Sequence, residues 1–104
     1  PWQKLYEAGI GAWYENDTVA GYLAEFERQL PSIHDAQCAL SIYGYPITQS
    51  GAQDLQSQFA FRAFQLHYRA SDYSGLIDTE TLAILYALNE KYRVLNPQSC
   101  NRSN

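Results

Sequence analysis

The sequence predicts an all-α protein, and two kinds of observation indicate this fold class. Apolar residues recur at helical spacing in several stretches that together cover most of the 104 residues. Most of these stretches are also bounded by residues typical of helix termini, with serine or aspartate before the first turn and glycine or proline after the last. We therefore expect no β-sheet of consequence.

Composition narrows the class of protein further. An apolar content of 46% allows a real core, and the formal net charge of -4 argues against nucleic acid, which binds to basic surfaces. No apolar run approaches the roughly 18 residues that a membrane span needs. The chain has neither an initiator methionine nor a signal-peptide pattern, so we expect a fragment or a processed piece of a longer protein.

Residues 1–31 predict two helices. Residues 2–8 form a short helical piece closed by Gly9, a residue type common just after a helix. Asp17 can cap a second helix that runs to Pro31. The apolar side of this helix is formed by Val19, Tyr22, Leu23, Phe26 and Leu30. Because only one side is apolar, we interpret it as a linker helix that packs on one neighbour.

Two further helices show clear start signals. Ser32 caps a helix that ends at Gly44, and Asp78 caps the last helix, which fades before Pro97. In the first of these, the core face consists of Ile33, Ala36, Leu40 and Tyr43. In the last, we expect Leu82, Leu85, Tyr86, Leu88 and Tyr92 to point to the core and Ala83, Glu90 and Lys91 to point away.

Residues 52–69 predict the helix around which the others are organised. Two apolar faces occupy roughly two thirds of its circumference. They are formed by Leu55, Phe59, Ala63 and Leu66, and by Ala60, Phe61, Phe64 and Tyr68. The remaining polar strip is formed by Gln58, Arg62, Gln65 and Arg69. We therefore expect neighbours on two sides of this helix, with the polar strip facing solvent or a ligand.

The sequence offers no recognisable catalytic or metal-binding pattern. His34 and His67 lie on different predicted helices, and neither a Cys-x-x-Cys nor a His-x-x-x-His spacing occurs. No nucleophile sits in a recognisable strand-to-helix elbow. We expect neither a metal site nor catalysis from this chain alone.

Residues 33–85 carry a family resemblance. The segment Ala-Phe-x-Ala-Phe-Gln, a loop ending in Gly-x-x-Asp, and a capped helix with Thr and Leu four apart are similar to the three-helix peptidoglycan-binding domain. The matching residues are Ala60, Phe61, Phe64, Gln65, Gly75, Asp78, Thr81 and Leu85, together with Gln37, Gly44 and Tyr45 in and after the first helix of that domain. The family's usual Asp-Gly turn is missing between Tyr45 and Gln53.

Residues 1–13 carry a second resemblance. The pattern Pro-Trp-Gln-x-Leu-x-x-x-Gly-Ile-Gly-Ala-Trp is similar to the last segment of the zinc-dependent N-acetylmuramoyl-L-alanine amidases, just after their final metal ligand. It implies that zinc and its ligands lie upstream of Pro1, with no cofactor in this chain. It also implies a bacterial periplasm or cell envelope as the compartment.

Together the resemblances divide the chain into four parts. Residues 1–16 are the tail end of a missing catalytic domain, 17–31 the linker helix, 32–93 the peptidoglycan-binding three-helix domain, and 94–104 a polar tail. The implied function is a non-catalytic module that targets an attached amidase to peptidoglycan. The alternative is a protein-interaction or structural module that packs on its own catalytic domain or on another envelope protein, without glycan affinity.

The expected ligand site is the meeting of the 52–69 helix with the loop 72–78. Arg69 and Tyr73 are the strongest candidates, because Arg69 ends the polar strip and the loop brings Tyr73 beside it. Arg62 could likewise meet a stem-peptide carboxylate, since guanidinium groups suit carboxylates. The further candidates are Gly75 through its open backbone, Tyr45 and Tyr68 through their rings, and Gln65, which is more often paired with loop backbone.

Cys38 and Cys100 are a candidate disulfide. Cys38 lies off the core side of its predicted helix, so another part of the chain should cover it, and the segment after Tyr92 is long enough to bring Cys100 across. The oxidising envelope compartment that the resemblance implies favours the bond.

Overall fold

The computed structural model describes residues 1–9, 11–93 and 100. Five α-helices follow one another in these residues: α1 Trp2–Glu7, α2 Asn16–Arg28, α3 Ile33–Tyr43, α4 Leu55–Tyr68 and α5 Thr79–Tyr92. No β-strand occurs among them, so the predicted all-α class is confirmed. The predicted polar tail lies outside the described residues, with the exception of Cys100.

Side-chain caps determine where α3, α4 and α5 begin. The Ser32 hydroxyl accepts the Asp35 N–H at 3.1 Å. Asp54 and Asp78 play the same part for α4 and α5, since each carboxylate accepts a backbone N–H three residues later, at 3.0 and 2.7 Å. Each bond satisfies a donor that the helix itself leaves unpaired. The α4 helix consequently begins after Asp54, three residues later than the sequence pattern suggested.

The start of α2 differs from the prediction. Asp17 lies inside the first turn, and Glu15 occupies the cap position without a side-chain cap bond. The Glu15 carboxylate is instead paired with the Lys91 ammonium on α5. The helix therefore begins two residues earlier than an Asp17 cap would place it.

The central element is α5, not α4. Every residue from Thr81 to Asn89 is buried, because α2 and α3 both pack against this helix. On the α2 side, the rings of Tyr22 and Phe26 lie 5.8 and 5.0 Å from the ring of Tyr86. Ala83 shares the stripe of Tyr86 on α5 and is buried, so its predicted outward position is wrong.

The α4 helix buries only one of its two apolar faces. Phe61, Phe64 and Tyr68 are in the core. The other face is exposed, with Leu55 at 65%, Phe59 at 61% and Leu66 at 47% of their full accessible surface. The expectation that both faces are covered is therefore wrong.

The N-terminal segment is fastened to the helical bundle. The Tyr92 hydroxyl accepts the Trp13 N–H at 3.0 Å and donates to the Trp13 carbonyl at 3.1 Å. The Lys91 ammonium donates to the same carbonyl at 3.0 Å and to the Tyr6 hydroxyl at 2.7 Å. At the other end of the segment, the Trp2 ring stacks on the imidazole of His67 on α4.

A disulfide joins Cys38 of α3 to Cys100, with 5.7 Å between their Cα atoms. Cys100 is buried and covers the half-buried Cys38. The bond brings a distant part of the chain onto the outer side of α3.

Candidate ligand-binding surface around α4

The loop 70–78 is built on the side chain of Gln65. This side chain is fully buried, and its carbonyl oxygen accepts the Gly75 N–H at 2.8 Å. Its amide nitrogen donates to the Leu76 carbonyl and to the Thr81 hydroxyl, both at 3.0 Å. Buried backbone groups need such partners, because leaving one unpaired costs about 1–3 kcal/mol. Gln65 therefore shapes the loop and does not face a ligand.

Gly75 lies against the backbone of α4. Its φ of 86° is a conformation that favours glycine, and a Cβ atom there would be 2.5 Å from the Gln58 carbonyl oxygen. The residue is buried, and its N–H is already bonded to Gln65. This N–H is therefore not free for the ligand contact expected from the sequence.

Arg69 joins the loop to the first turn of α5. One terminal nitrogen donates to Asp78 at 3.2 Å and to Glu80 at 2.9 Å. The other donates to Asp78 at 2.8 Å and to the Asp72 carbonyl at 2.9 Å. The side chain is 11% exposed. A ligand carboxylate would have to displace Asp78 to reach this guanidinium.

The same contacts set the ionisation of Asp78. Burial raises the pKa of its carboxyl, but hydrogen bonds from Arg69 and from Thr81 favour the carboxylate more strongly. The net effect is that the pKa of Asp78 lies below its ordinary value.

The loop between α3 and α4 is held in the same way. The Gln37 side-chain oxygen accepts the Gly51 N–H at 2.8 Å, and its amide nitrogen donates to the Ala52 carbonyl at 2.8 Å. Gly51 has a φ of 81°. We call these two arrangements, Gln37 with Gly51 and Gln65 with Gly75, the glutamine clamps. The missing Asp-Gly pair is thus a change of residues, because the chain still bends at Gly51.

Tyr73 and Arg62 are the predicted site residues that remain accessible beside the second loop. The Tyr73 ring is 44% exposed, and the Arg62 guanidinium lies 5.5 Å from its centroid. No carboxylate of the described residues is within ion-pair distance of Arg62. An aromatic face and an unneutralised guanidinium therefore lie together on one edge of α4.

The two other predicted tyrosines are elsewhere. Tyr68 is buried, and its hydroxyl lies 2.5 Å from that of Tyr43; burial and this bond raise its pKa well above the ordinary range. Tyr45 is half-buried, and its ring lies 5.8 Å from that of Phe64 on α4. There it borders an apolar groove of about 280 Å³, which is also lined by Pro46, Gln56, Phe59, Ala60 and Ala63.

The structure also shows a surface that the sequence reasoning assigned to the core. We call the exposed side chains of Leu55, Phe59, Ala63 and Leu66 the α4 row. The helical wheel contains this row, but it does not say which side of the helix the loop covers. The signal that could have found it was the Gln65–Gly75–Asp78 match, because a glutamine that binds the loop places the loop on its own side.

Two classes of feature are absent from the described part of the chain. No three or more His, Cys, Asp or Glu side chains gather there as a potential metal site. Within the same residues, no helix has both the length and the apolar character needed to cross a membrane.

Comparison with known proteins identifies the relatives. The chain is 39% identical over 95 residues to N-acetylmuramoyl-L-alanine amidase AmiD of Escherichia coli, a match that covers 88% of this chain and 33% of AmiD. The chain is homologous to part of an N-acetylmuramoyl-L-alanine amidase. The predicted relationship to this amidase family is confirmed, although no protein-family model matches the chain.

Solved structures of these amidase relatives agree with the fold. The crystal structure of AmpDh3 from Pseudomonas aeruginosa matches with a TM-score of 0.82 and 48% identity, over 89% of this chain and 37% of that protein. AmiD in complex with anhydro-N-acetylmuramic acid-L-Ala-D-γ-Glu-L-Lys matches with a TM-score of 0.75 and 35% identity, over 88% of this chain and 36% of AmiD. AmpDh3 has also been solved with anhydromuramic pentapeptide. The chain thus spans about a third of the length of these relatives.

Proposed function

We propose that this chain is a non-catalytic wall-binding module that holds an attached amidase catalytic domain on peptidoglycan. The observation that supports it most is the exposed pair formed by Tyr73 on the clamped loop and Arg62 on α4. The chain that carries this pair is homologous to about a third of the length of an amidase. In this proposal zinc and hydrolysis belong to the attached domain, upstream of Pro1. The compartment is the periplasm or cell envelope, with which the Cys38–Cys100 disulfide agrees.

The chemistry of the pair suits a wall polymer that carries sugars and acidic stem peptides. The flat ring of Tyr73 can lie along a sugar face while its hydroxyl stays in water. The Arg62 guanidinium can form a bidentate pair with a stem-peptide carboxylate, since its own charge is not neutralised by a neighbour. Arg69 and Gln65 then act indirectly, because they hold the loop that presents Tyr73.

Weak intrinsic affinity is sufficient for this role. A module linked to a catalytic domain raises the local concentration of that domain on the polymer, and the gain depends on linkage more than on the strength of each contact.

Retention on insoluble purified sacculi tests the proposal. We expect the unmodified chain to be retained at low salt and the double variant Arg62→Ala/Tyr73→Ala to lose most of that retention. The thermal midpoint should change little, since exposed substitutions usually shift stability by about 0.5 kcal/mol or less. Arg69→Ala is a poorer test, because it also removes the bonds that hold the loop.

Arg28→Ala is the matched control, since Arg28 is exposed at the end of α2 and its loss removes the same charge. If the double variant is retained as well as the control, the site is wrong. If the unmodified chain is not retained at low salt, the wall-binding function itself is wrong.

A further inference from the structure

The α4 row is an unusual surface for so small a domain. Leu55, Phe59 and Leu66 are each about half exposed or more, and with Ala63 they follow helical spacing, so their side chains lie along one side of α4. Single exposed apolar residues are common, but a contiguous apolar patch on a folded domain typically marks an interaction surface.

The row continues into a concavity. Phe59 and Ala63 belong both to the α4 row and to the groove that Tyr45 and Pro46 close on the other side. A ridge beside a groove of about 280 Å³ is a shape into which side chains of another protein surface can interlock.

We propose that the α4 row and this groove are the docking surface for the attached amidase catalytic domain. This rests on the proposed function, in which such a domain precedes the chain. The match covers only about a third of the length of the relatives, so about two thirds of each relative lies outside it. A region of that length is large enough to form a domain that packs on this surface.

The N-terminal segment leads to this surface. Trp2 stacks on His67 with 4.1 Å between ring centroids, and His67 lies one helical turn after Ala63 of the row. The Lys91 and Tyr92 bonds to Trp13 hold the other end of the segment to α5. A domain joined through a segment fastened at both ends is kept beside the α4 row, unlike a domain on a free tether.

The chemistry of the row also favours a protein over the glycan. Leu55, Ala63 and Leu66 are aliphatic, and Phe59 has a ring but no polar group, so the row offers a sugar no hydrogen bond. The guanidinium and the ring that carries a hydroxyl lie on the edge formed by Arg62 and Tyr73. In this proposal the two surfaces have different partners: the edge with Tyr73 and Arg62 binds the wall polymer, and the α4 row binds the catalytic domain.

The test compares the full-length amidase that carries this chain with the isolated chain. The row variant is Leu55→Ser/Phe59→Ser. The matched control is Leu30→Ser/Leu76→Ser, which changes two leucines that are similarly exposed but lie outside the row. In the full-length protein we expect only the row variant to increase the radius of gyration in small-angle scattering and to separate one calorimetric transition into two. In the isolated chain, both variants should keep the wild-type thermal midpoint.

Three results would overturn the docking proposal. The first is a full-length row variant whose scattering and calorimetry match those of the control. The second is a loss of sacculus retention by the isolated row variant, which would make the row a wall-binding site. The third is a row-dependent dimer of the isolated chain in sedimentation, which would make a second copy the occupant. Failure of the unmodified chain to bind sacculi would remove the proposed function, while scattering would still decide the docking surface.

Discussion

Single residues in the two interhelical loops have roles that depend on backbone geometry. Gly51 and Gly75 have nearly the same positive φ, and each donates its N–H to a glutamine. They differ in their surroundings, since a Cβ on Gly51 meets no atom within 4 Å, whereas one on Gly75 would be 2.5 Å from a carbonyl oxygen of α4. Substituting alanine at each of the two glycines therefore distinguishes two costs in stability: that of a positive φ for a residue with a Cβ, and that of a steric contact with α4.

We expect Gly51→Ala to lower the free energy of unfolding by about 1–2 kcal/mol, the usual cost of a left-handed conformation for a residue with a Cβ. Gly75→Ala should cost clearly more, because the loop must also move off the rigid α4 backbone. Urea denaturation of both variants measures the difference. Equal values would show that the loop 70–78 does not press on α4 as described.

The Arg69–Asp78 pair predicts a pH dependence of stability. The pKa of Asp78 is lower in the folded chain than its unfolded value of about 3.9. The pair therefore stabilises the fold fully above that value, and the contribution is lost as the pH falls through the folded pKa.

Stability measured from pH 6 to pH 2 tests this. Asp78→Asn should be less stable than the wild type at pH 6, with a smaller further loss toward pH 2. Parallel curves for the wild type and Asp78→Asn would contradict the assignment.

At the scale of helices, α4 carries apolar side chains of the same type in both buried and exposed positions. Phe64 is buried against the rings of Tyr43, Tyr45 and Tyr68, whereas Phe59 on the same helix is 61% exposed. The same substitution at the two positions thus compares a core site with a surface site.

We expect Phe64→Ala to lower the free energy of unfolding by about 3–5 kcal/mol, because it leaves a cavity in the core. Phe59→Ala should change it by about 0.5 kcal/mol or less in the isolated chain. Thermal or urea unfolding gives both values. An unchanged midpoint for Phe64→Ala would remove Phe64 from the core.

The contrast also explains what could be predicted from the sequence. The starts of α3 and α5 were predictable because Ser32 and Asp78 bond to N–H groups three residues away, which is a local interaction. Which side of α4 faces water was not, because both its polar strip and the α4 row have helical spacing. That choice depends on the loop 70–78, which Gln65 and Arg69 hold against their own side of α4.

The candidate site shows the same limit. The sequence predicted a site at the loop 72–78 with Arg69 and Tyr73 as its strongest candidates, and that site stays a prediction. The sequence could not show that Asp78 and Glu80 already pair with the Arg69 guanidinium, because charge alone does not reveal which groups lie opposite one another.

At the scale of the whole molecule, the disulfide spans most of the helical bundle. Cys38 and Cys100 are separated by 62 positions. In the chain-entropy model, closing a loop of this length restricts the unfolded chain and contributes about 4 kcal/mol.

We expect a reductant to lower the thermal midpoint of the wild type to that of Cys38→Ser/Cys100→Ser, which should itself not respond to reductant. Intact mass after alkylation, with and without reductant, reports the bond directly. Two free thiols in protein purified under oxidising conditions would show that the bond does not form.

The glutamine clamps have a consequence for how this domain can diversify. Each clamp holds main-chain N–H and carbonyl groups of its loop, so these anchor points do not depend on the side chains at the tip. In the second loop, Ser71 and Tyr73 are exposed and can be exchanged at little cost to folding, whereas the Ser74 hydroxyl accepts the Leu76 N–H and should be kept. A library randomised at Ser71 and Tyr73, with Gln65, Gly75 and Asp78 also kept, should therefore yield mostly folded proteins with altered ligand preference.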